Sequence, residues 1–178
     1  QPHNDIIFLS LWRVPLGNNC IRVDYTNPTG RALYWVNQSI KNVNIAIDSA
    51  LNSTNVGKAL EAKVANYIRN NIKEVTAFGQ QVIRTVEKTI AGDLDVVTAD
   101  AIIEVKKSIG AVSFDQICKY ADPSHADFLN NLNKKVVLYI DEAVDMTNPN
   151  NVKLLNDIKA KKVSIVINSL EGLKEVLN

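Results

Sequence analysis

Cysteine, net charge and long apolar runs are all scarce in this chain of 178 residues, and each scarcity excludes something. Only Cys20 and Cys118 are present, far apart and in no metal-ligand spacing. That excludes a zinc module and a disulfide framework, and leaves partly buried thiols as the expected state. A formal net charge of +1 excludes a global basic field, so any polyanion site has to be built locally from clustered Lys and Arg. No signal peptide or membrane-spanning run is found, since DIIFLSLW is too short and starts too polar. There is no Gly-rich phosphate loop, no Ser/His/Asp arrangement and no internal repeat. The chain opens on Gln1 rather than Met, which reads as a piece of something longer.

What remains is an ordinary globular composition, 46% apolar, sufficient to bury a core within one domain. Residues 1–55 read as an N-terminal extension. There Asn, Pro and Gly punctuate the short apolar pieces IIFLSLWRV, CIRVDYT and ALYWVNQSI, and both tryptophans, Trp12 and Trp35, lie among them. A few short strands or turns and one helix near Ile40 to Leu51 are expected. From residue 56 to 178 the pattern becomes regular. Leu60, Val64, Ile68 and Ile72 fall four apart, which predicts an amphipathic helix from about Val56 to Glu74 with Thr54 or Asn55 as N-cap. Strands follow at QQVIRTV, DLDVVT and AIIEVKK, then a helix capped by Ser113, a strand at KKVVLYID, a helix at NNVKLLNDIKAKK, a strand at VSIVIN and a closing helix at SLEGLKEVL. This alternation predicts an α/β fold, a mixed sheet flanked by helices.

The segment GDLDVVTADAIIEVKKS, residues 92–108, carries the chemistry. If Ala99 and Asp100 form a two-residue turn, Thr98 faces Ala101, Val97 faces Ile102 and Val96 faces Ile103. Asp95 then lies opposite Glu104 and Asp93 opposite Lys106. Alternation along each strand puts these four charges on one face and Val96, Ile103 and Val105 on the other. Cross-strand Cβ atoms are about 5 Å apart, so Asp95 and Glu104 repel unless one is protonated or a cation sits between them. A divalent ion answers this economically, because hard cations take one or two carboxylates and fill the remaining positions with water and phosphate. A solvated hairpin face with a surface Asp93–Lys106 pair answers it equally well on spacing alone.

Gly-Asp-Leu-Asp, an apolar strand and then Ile103-Glu104-Val105-Lys106 resemble the core motif of the PD-(D/E)XK, or restriction-endonuclease-like, nuclease superfamily. The superfamily's order of helix, three strands, helix and strand is also the order read from Val56 to Ile140, and Leu94 stands where Pro is common. The resemblance implies that Asp95, Glu104 and Lys106 form the metal and catalytic site. It implies a third acidic ligand at Glu61 on the first helix, and Mg²⁺ or Mn²⁺, with Zn²⁺ as an alternative, as the cofactor. Gln116 and Tyr120, four apart on one helix face, look like the Gln-x-x-x-Tyr element of some branches, where both side chains help hold the site or the nucleic-acid backbone. As unaided readings, Glu61 is equally a rim residue and Tyr120 a core residue.

Lys107 and Lys119, with Lys134 and Lys135, offer local positive charge to a phosphate backbone, or ordinary solvation. His125 reads as an ordinary loop histidine, with capping or phosphate contact as the alternative, and His3 near the terminus is assigned no role. Asp141, Glu142 and Asp145 read as an acidic loop. The implied activity is metal-dependent cleavage of DNA or tRNA. The small size and irregular leader resemble C-terminal nuclease toxins of bacterial contact-dependent inhibition or Rhs systems. Such domains are carried on large secreted proteins, act in the target-cell cytoplasm and are neutralised by an immunity protein. The alternatives are a non-catalytic module that grips nucleic acid or protein on a nuclease-like fold, and a restriction or repair endonuclease.

Overall fold

The computed structural model describes residues 12–17 and 20–178. His3 and most of the IIFLSLWRV piece lie outside the described residues. Three short strands open the chain, β1 (Trp12–Gly17), β2 (Cys20–Thr26) and β3 (Ala32–Asn37), followed by α1 (Ile40–Ala50). Then come α2 (Val56–Asn71), β4 (Ala77–Arg84), β5 (Thr89–Val97), β6 (Ala101–Lys106), α3 (Phe114–Ala121), β7 (Lys135–Ile140), α4 (Pro149–Ala160), β8 (Ser164–Ile167) and α5 (Gly172–Leu177).

Local chemistry sets the helix starts. Asn55 caps α2 by accepting from Lys58 N, Ser113 caps α3 by accepting from Gln116 N, and Asn148 precedes Pro149 at the head of α4. The four-residue spacing in α2 buries Leu60, Val64 and Ile68 on one face. The α/β class expected from the sequence is observed: among the described residues, five α-helices accompany one mixed eight-stranded sheet whose strands lie in chain order. Strands β1 to β6 run antiparallel to their neighbours, whereas β6, β7 and β8 are parallel and are joined through α3 and α4. β7 is covered on both faces, which is why KVVLYI reads as a continuous apolar run.

Two apolar layers sandwich the sheet. Ile117, Tyr120, Leu155 and Ile158 from α3 and α4 pack on Leu94, Ile102 and Leu138. Val43, Ile47, Val64, Ile68 and Leu173 from α1, α2 and α5 pack on Val96, Ile103 and Val137. The residues read as an extension supply strands of this same sheet, and Val23, Tyr25, Leu33 and Trp35 belong to its first layer. Cys118 is half-buried, Cys20 donates to Gln38 Oε1 at 3.2 Å, and no disulfide joins them. Among the described residues no helix is long and apolar enough to cross a membrane.

Candidate active site

The hairpin between β5 and β6 has the register read from the sequence: Val97 faces Ile102, Val96 faces Ile103, and Thr98 N donates to Ala101 O at 2.9 Å. Ala99-Asp100 serves as the turn because its neighbours support it. Thr98 Oγ1 accepts from Ala101 N at 3.1 Å and donates to Asp100 Oδ1 at 3.1 Å. Beyond Val96 the backbone ladder stops. There the Asp95 side chain takes over, Oδ2 accepting from Val105 N at 2.8 Å.

β5 turns over at this point. Leu94 and Val97 pack in one apolar layer and Val96 in the other, which strict alternation forbids. Across the sheet, Phe78 faces Val96 and Gln80 faces Leu94, so Gly79, with φ +60°, falls opposite Asp95. An isolated glycine inside a strand marks such an irregularity. The expectation that Asp93 shares the face of Glu104 and pairs with Lys106 is corrected here. Asp93 is exposed, and Lys106 Nζ lies 3.3 Å from Glu104 Oε1 instead.

Asp95 and Glu104 are 7% and 1% exposed. Burial pushes the Asp95 carboxyl well above the carboxylate range, and the nearby charges of Glu104 and Glu61 push it further. The Val105 amide and Lys106 pull the other way. Glu104 is also raised, by burial, against the pull of the Lys106 charge. The Tyr120 hydroxyl, buried and itself harder to ionise, has one proton and donates it to Asp93 O at 2.7 Å. Both Glu104 oxygens are therefore buried with no hydrogen-bond partner, the Lys106 contact lacking hydrogen-bond geometry. Two buried carboxylates beside one ammonium leave room for a proton or a cation, and orphaned carboxylate oxygens are donors of the hard kind that Mg²⁺ and Mn²⁺ take. The residues thus fit the implied ion.

Glu61 lies on α2, within electrostatic reach of both carboxylates. Its Oε2 is 3.3 Å from Lys58 Nζ, which also lies 4.3 Å from the centre of the Phe78 ring. Among the described residues no group of three or more His, Cys, Asp or Glu is gathered closely enough to hold a metal ion. Asp95 and Glu104 are the buried carboxyl pair, and Glu61 stands apart from them, paired to Lys58. Sequence reasoning missed Lys58 and Gly79. The signals were there, an i, i+3 Lys-Glu spacing on α2 and a glycine within FGQQ.

Of the residues expected to meet nucleic acid, Gln116 is half-buried on α3 in the same turn as Tyr120, which is 1% exposed. Lys119 Nζ donates to Ala91 O at 2.7 Å, and Lys107 is exposed, 3.9 Å from Glu142. Lys134 and Lys135 donate to the carbonyls of Thr98 and Val176. His125 Nδ1 accepts from Asp127 N and its Nε2 faces Asp115, so it fastens a loop. Asp141 accepts from Tyr139 and Asp145 from Thr147, each engaged locally. Compared with protein-family models, curated proteins and solved structures, the chain finds no match.

Proposed function

We propose that the protein is a metal-dependent endonuclease of restriction-endonuclease-like fold that hydrolyses phosphodiester bonds in DNA or tRNA. The observation that carries this reading is Glu104: a buried carboxylate with no hydrogen-bond partner on either oxygen, ion-paired with the Lys106 ammonium and near buried Asp95. The element order α2, β4, β5, β6, α3, β7 supports it further, being the helix, three strands, helix and strand that the resemblance implies.

Asp95 and Glu104 would hold Mg²⁺ or Mn²⁺, with Glu61 as the outer acidic partner. When bound, such an ion lowers the pKa of a water and neutralises charge on the phosphate. Lys106 donates to the attacking water and faces the negative charge that builds on the phosphorane oxygens. The Val105 amide and the β5–β6 register fix the Asp95 carboxylate before substrate arrives. Tyr120, tied to the Asp93 carbonyl, holds α3 and Gln116 against the site.

Purified protein is incubated with plasmid DNA and total tRNA, with and without Mg²⁺, Mn²⁺ and EDTA. Cleavage that needs the ion and is lost in Asp95→Asn and Lys106→Ala is the expected result. Failure to cut either polymer with any ion defeats the reading. We extend the proposal to a toxin domain of bacterial competition, delivered within a larger secreted protein into a target-cell cytoplasm and neutralised by an immunity protein. Its support is the resemblance of the Asp95, Glu104 and Lys106 motif to nucleases of that kind, and its test is protection by the adjacent gene product.

A further inference from the structure

Strands β3 and β4 pair only at Leu33–Arg84 and Tyr34–Ile83, then part. The Gln80 side chain bridges the gap, donating to Val36 O at 3.2 Å and Asn37 Oδ1 at 3.0 Å. On the face of Leu94 and Ile102 the gap opens into a cavity of about 320 Å³, large enough for a small ligand or one of its parts. Trp35, Leu94 and Ile102 wall it, and Gln80, Asn131 and Lys134 supply its polar groups. Trp35 is held in place by an edge contact with Tyr25 and by donation from Nε1 to Asn37 Oδ1. Among the described residues no carboxylate lines the cavity, whereas Arg13 and Lys134 do. Asn131 is 5% exposed, yet its Nδ2 is buried without a hydrogen-bond partner. Buried donors in native folds are nearly always satisfied, so an unpaired one in a cavity wall points to an acceptor brought by a ligand.

We propose that this cavity receives an unpaired nucleobase, which makes a single-stranded segment of nucleic acid the substrate class of the adjoining site; this rests on the nuclease reading above. A base offers what the walls call for: a flat ring to lie against indole and aliphatic surface, and a carbonyl or ring nitrogen to accept from Asn131. The cavity is also in the right place. Leu94 immediately precedes Asp95, and Ile102 shares its strand face with Glu104 about 7 Å further on. Asp95 and Glu104 do not themselves line the cavity, and the sugar of one nucleotide would bridge that separation to set its phosphate beside them. A base still paired in a duplex cannot enter without being unstacked and extruded.

The test uses the full chain carrying Trp12→Phe, a change at a side chain 70% exposed, so that Trp35 is the sole tryptophan. Its fluorescence is titrated with the four common nucleoside 5′-monophosphates, with inorganic phosphate and toluene as controls. At least one nucleotide should quench saturably at millimolar concentration or below, phosphate and toluene should not, and Asn131→Leu should weaken binding at least tenfold with an unchanged melting temperature. A single-stranded oligonucleotide should be cut at least tenfold faster than its duplex, a preference that Asn131→Leu reduces. No saturable quench by any nucleotide, equal binding by Asn131→Leu, or saturation by toluene alone overturns the proposal. Quenching without cleavage of any polymer upholds the base pocket and defeats the nuclease reading. Equal cleavage of single strand and duplex without quenching does the reverse.

Discussion

Glu104 carries two buried oxygens with no hydrogen-bond partner and lies within electrostatic reach of the Asp95 carboxyl. Replacing a buried charge by an isosteric amide removes repulsion and desolvation cost but also the attraction of Lys106, whose partly exposed ammonium water can still solvate, so Glu104→Gln should leave stability within about 1 kcal/mol of the parent. Cleavage should fall by roughly 100-fold or more, the scale seen when a charge-handling group leaves a preorganised site. Urea unfolding and a plasmid assay on the same preparation check both; a large loss of stability would mark Glu104 as a structural element. Asp127 shows the opposite electrostatics. Arg84 binds it through Nε at 3.0 Å and a terminal nitrogen at 2.6 Å, Arg31 adds a bond at 2.9 Å, and the arginines hold its carboxyl below the usual range. A depressed folded-state pKa gives stability that is present above the unfolded value and lost as pH falls through the folded one. Asp127→Asn should therefore cost about 3 kcal/mol at pH 7, the scale for breaking a buried ion pair. Urea midpoints of parent and variant should converge as pH falls below about 4, the unfolded carboxylate pKa.

Between elements, the site depends on where a ladder is interrupted. Gly79 sits at φ +60° opposite Asp95, and a Cβ there would run into the Lys58 ammonium. The lysine end can move aside, so the backbone dominates the cost. Gly79→Ala should lose at least about 1 kcal/mol of stability, measurable as a lower denaturant midpoint, because alanine disfavours positive φ. A midpoint equal to the parent's would mean the strand relaxes freely. The elements themselves were legible from period and caps: α2 from its four-residue spacing, α3 from Ser113, β7 from its apolar run. The hairpin register was legible because a two-residue turn at Ala99-Asp100 sets Val97 opposite Ile102 and Val96 opposite Ile103. The interruption was not legible by counting, since alternation assumes an unbroken pleat. That is why Asp93 was placed with Glu104 while Lys58 went unnoticed, its role arising only when α2 lies across Gly79. The cavity beside Trp35 was hidden for a related reason, because it exists only where β3 and β4 cease to pair.

At the scale of the molecule, the first strands and the rest of the sheet share one core. Tyr25 donates to Phe128 O at 3.2 Å and Leu129 O at 3.0 Å, Asn27 donates to Ala126 O at 2.9 Å, and Arg31 pairs with Asp127. The β2–β3 hairpin thus clasps the loop that leads into β7, and Val23, Leu33 and Trp35 cover Leu94 and Ile102 on the face that holds Glu104. A chain truncated to residues 56–178 keeps α2, β5 and β6, and with them every acidic residue of the site. It loses the cover over that layer, and it leaves β4 as a long exposed edge. Burial contributes roughly 25 cal/mol per Å² of apolar surface, so uncovering several large side chains consumes most of a domain's net stability. The truncated chain should bind a hydrophobic dye such as ANS and melt without a cooperative transition, as judged by near-UV circular dichroism, and its nuclease activity should vanish. A sharp melt with retained cleavage would show instead that residues 56–178 form an independent catalytic unit, to which the N-terminal strands contribute only the base cavity.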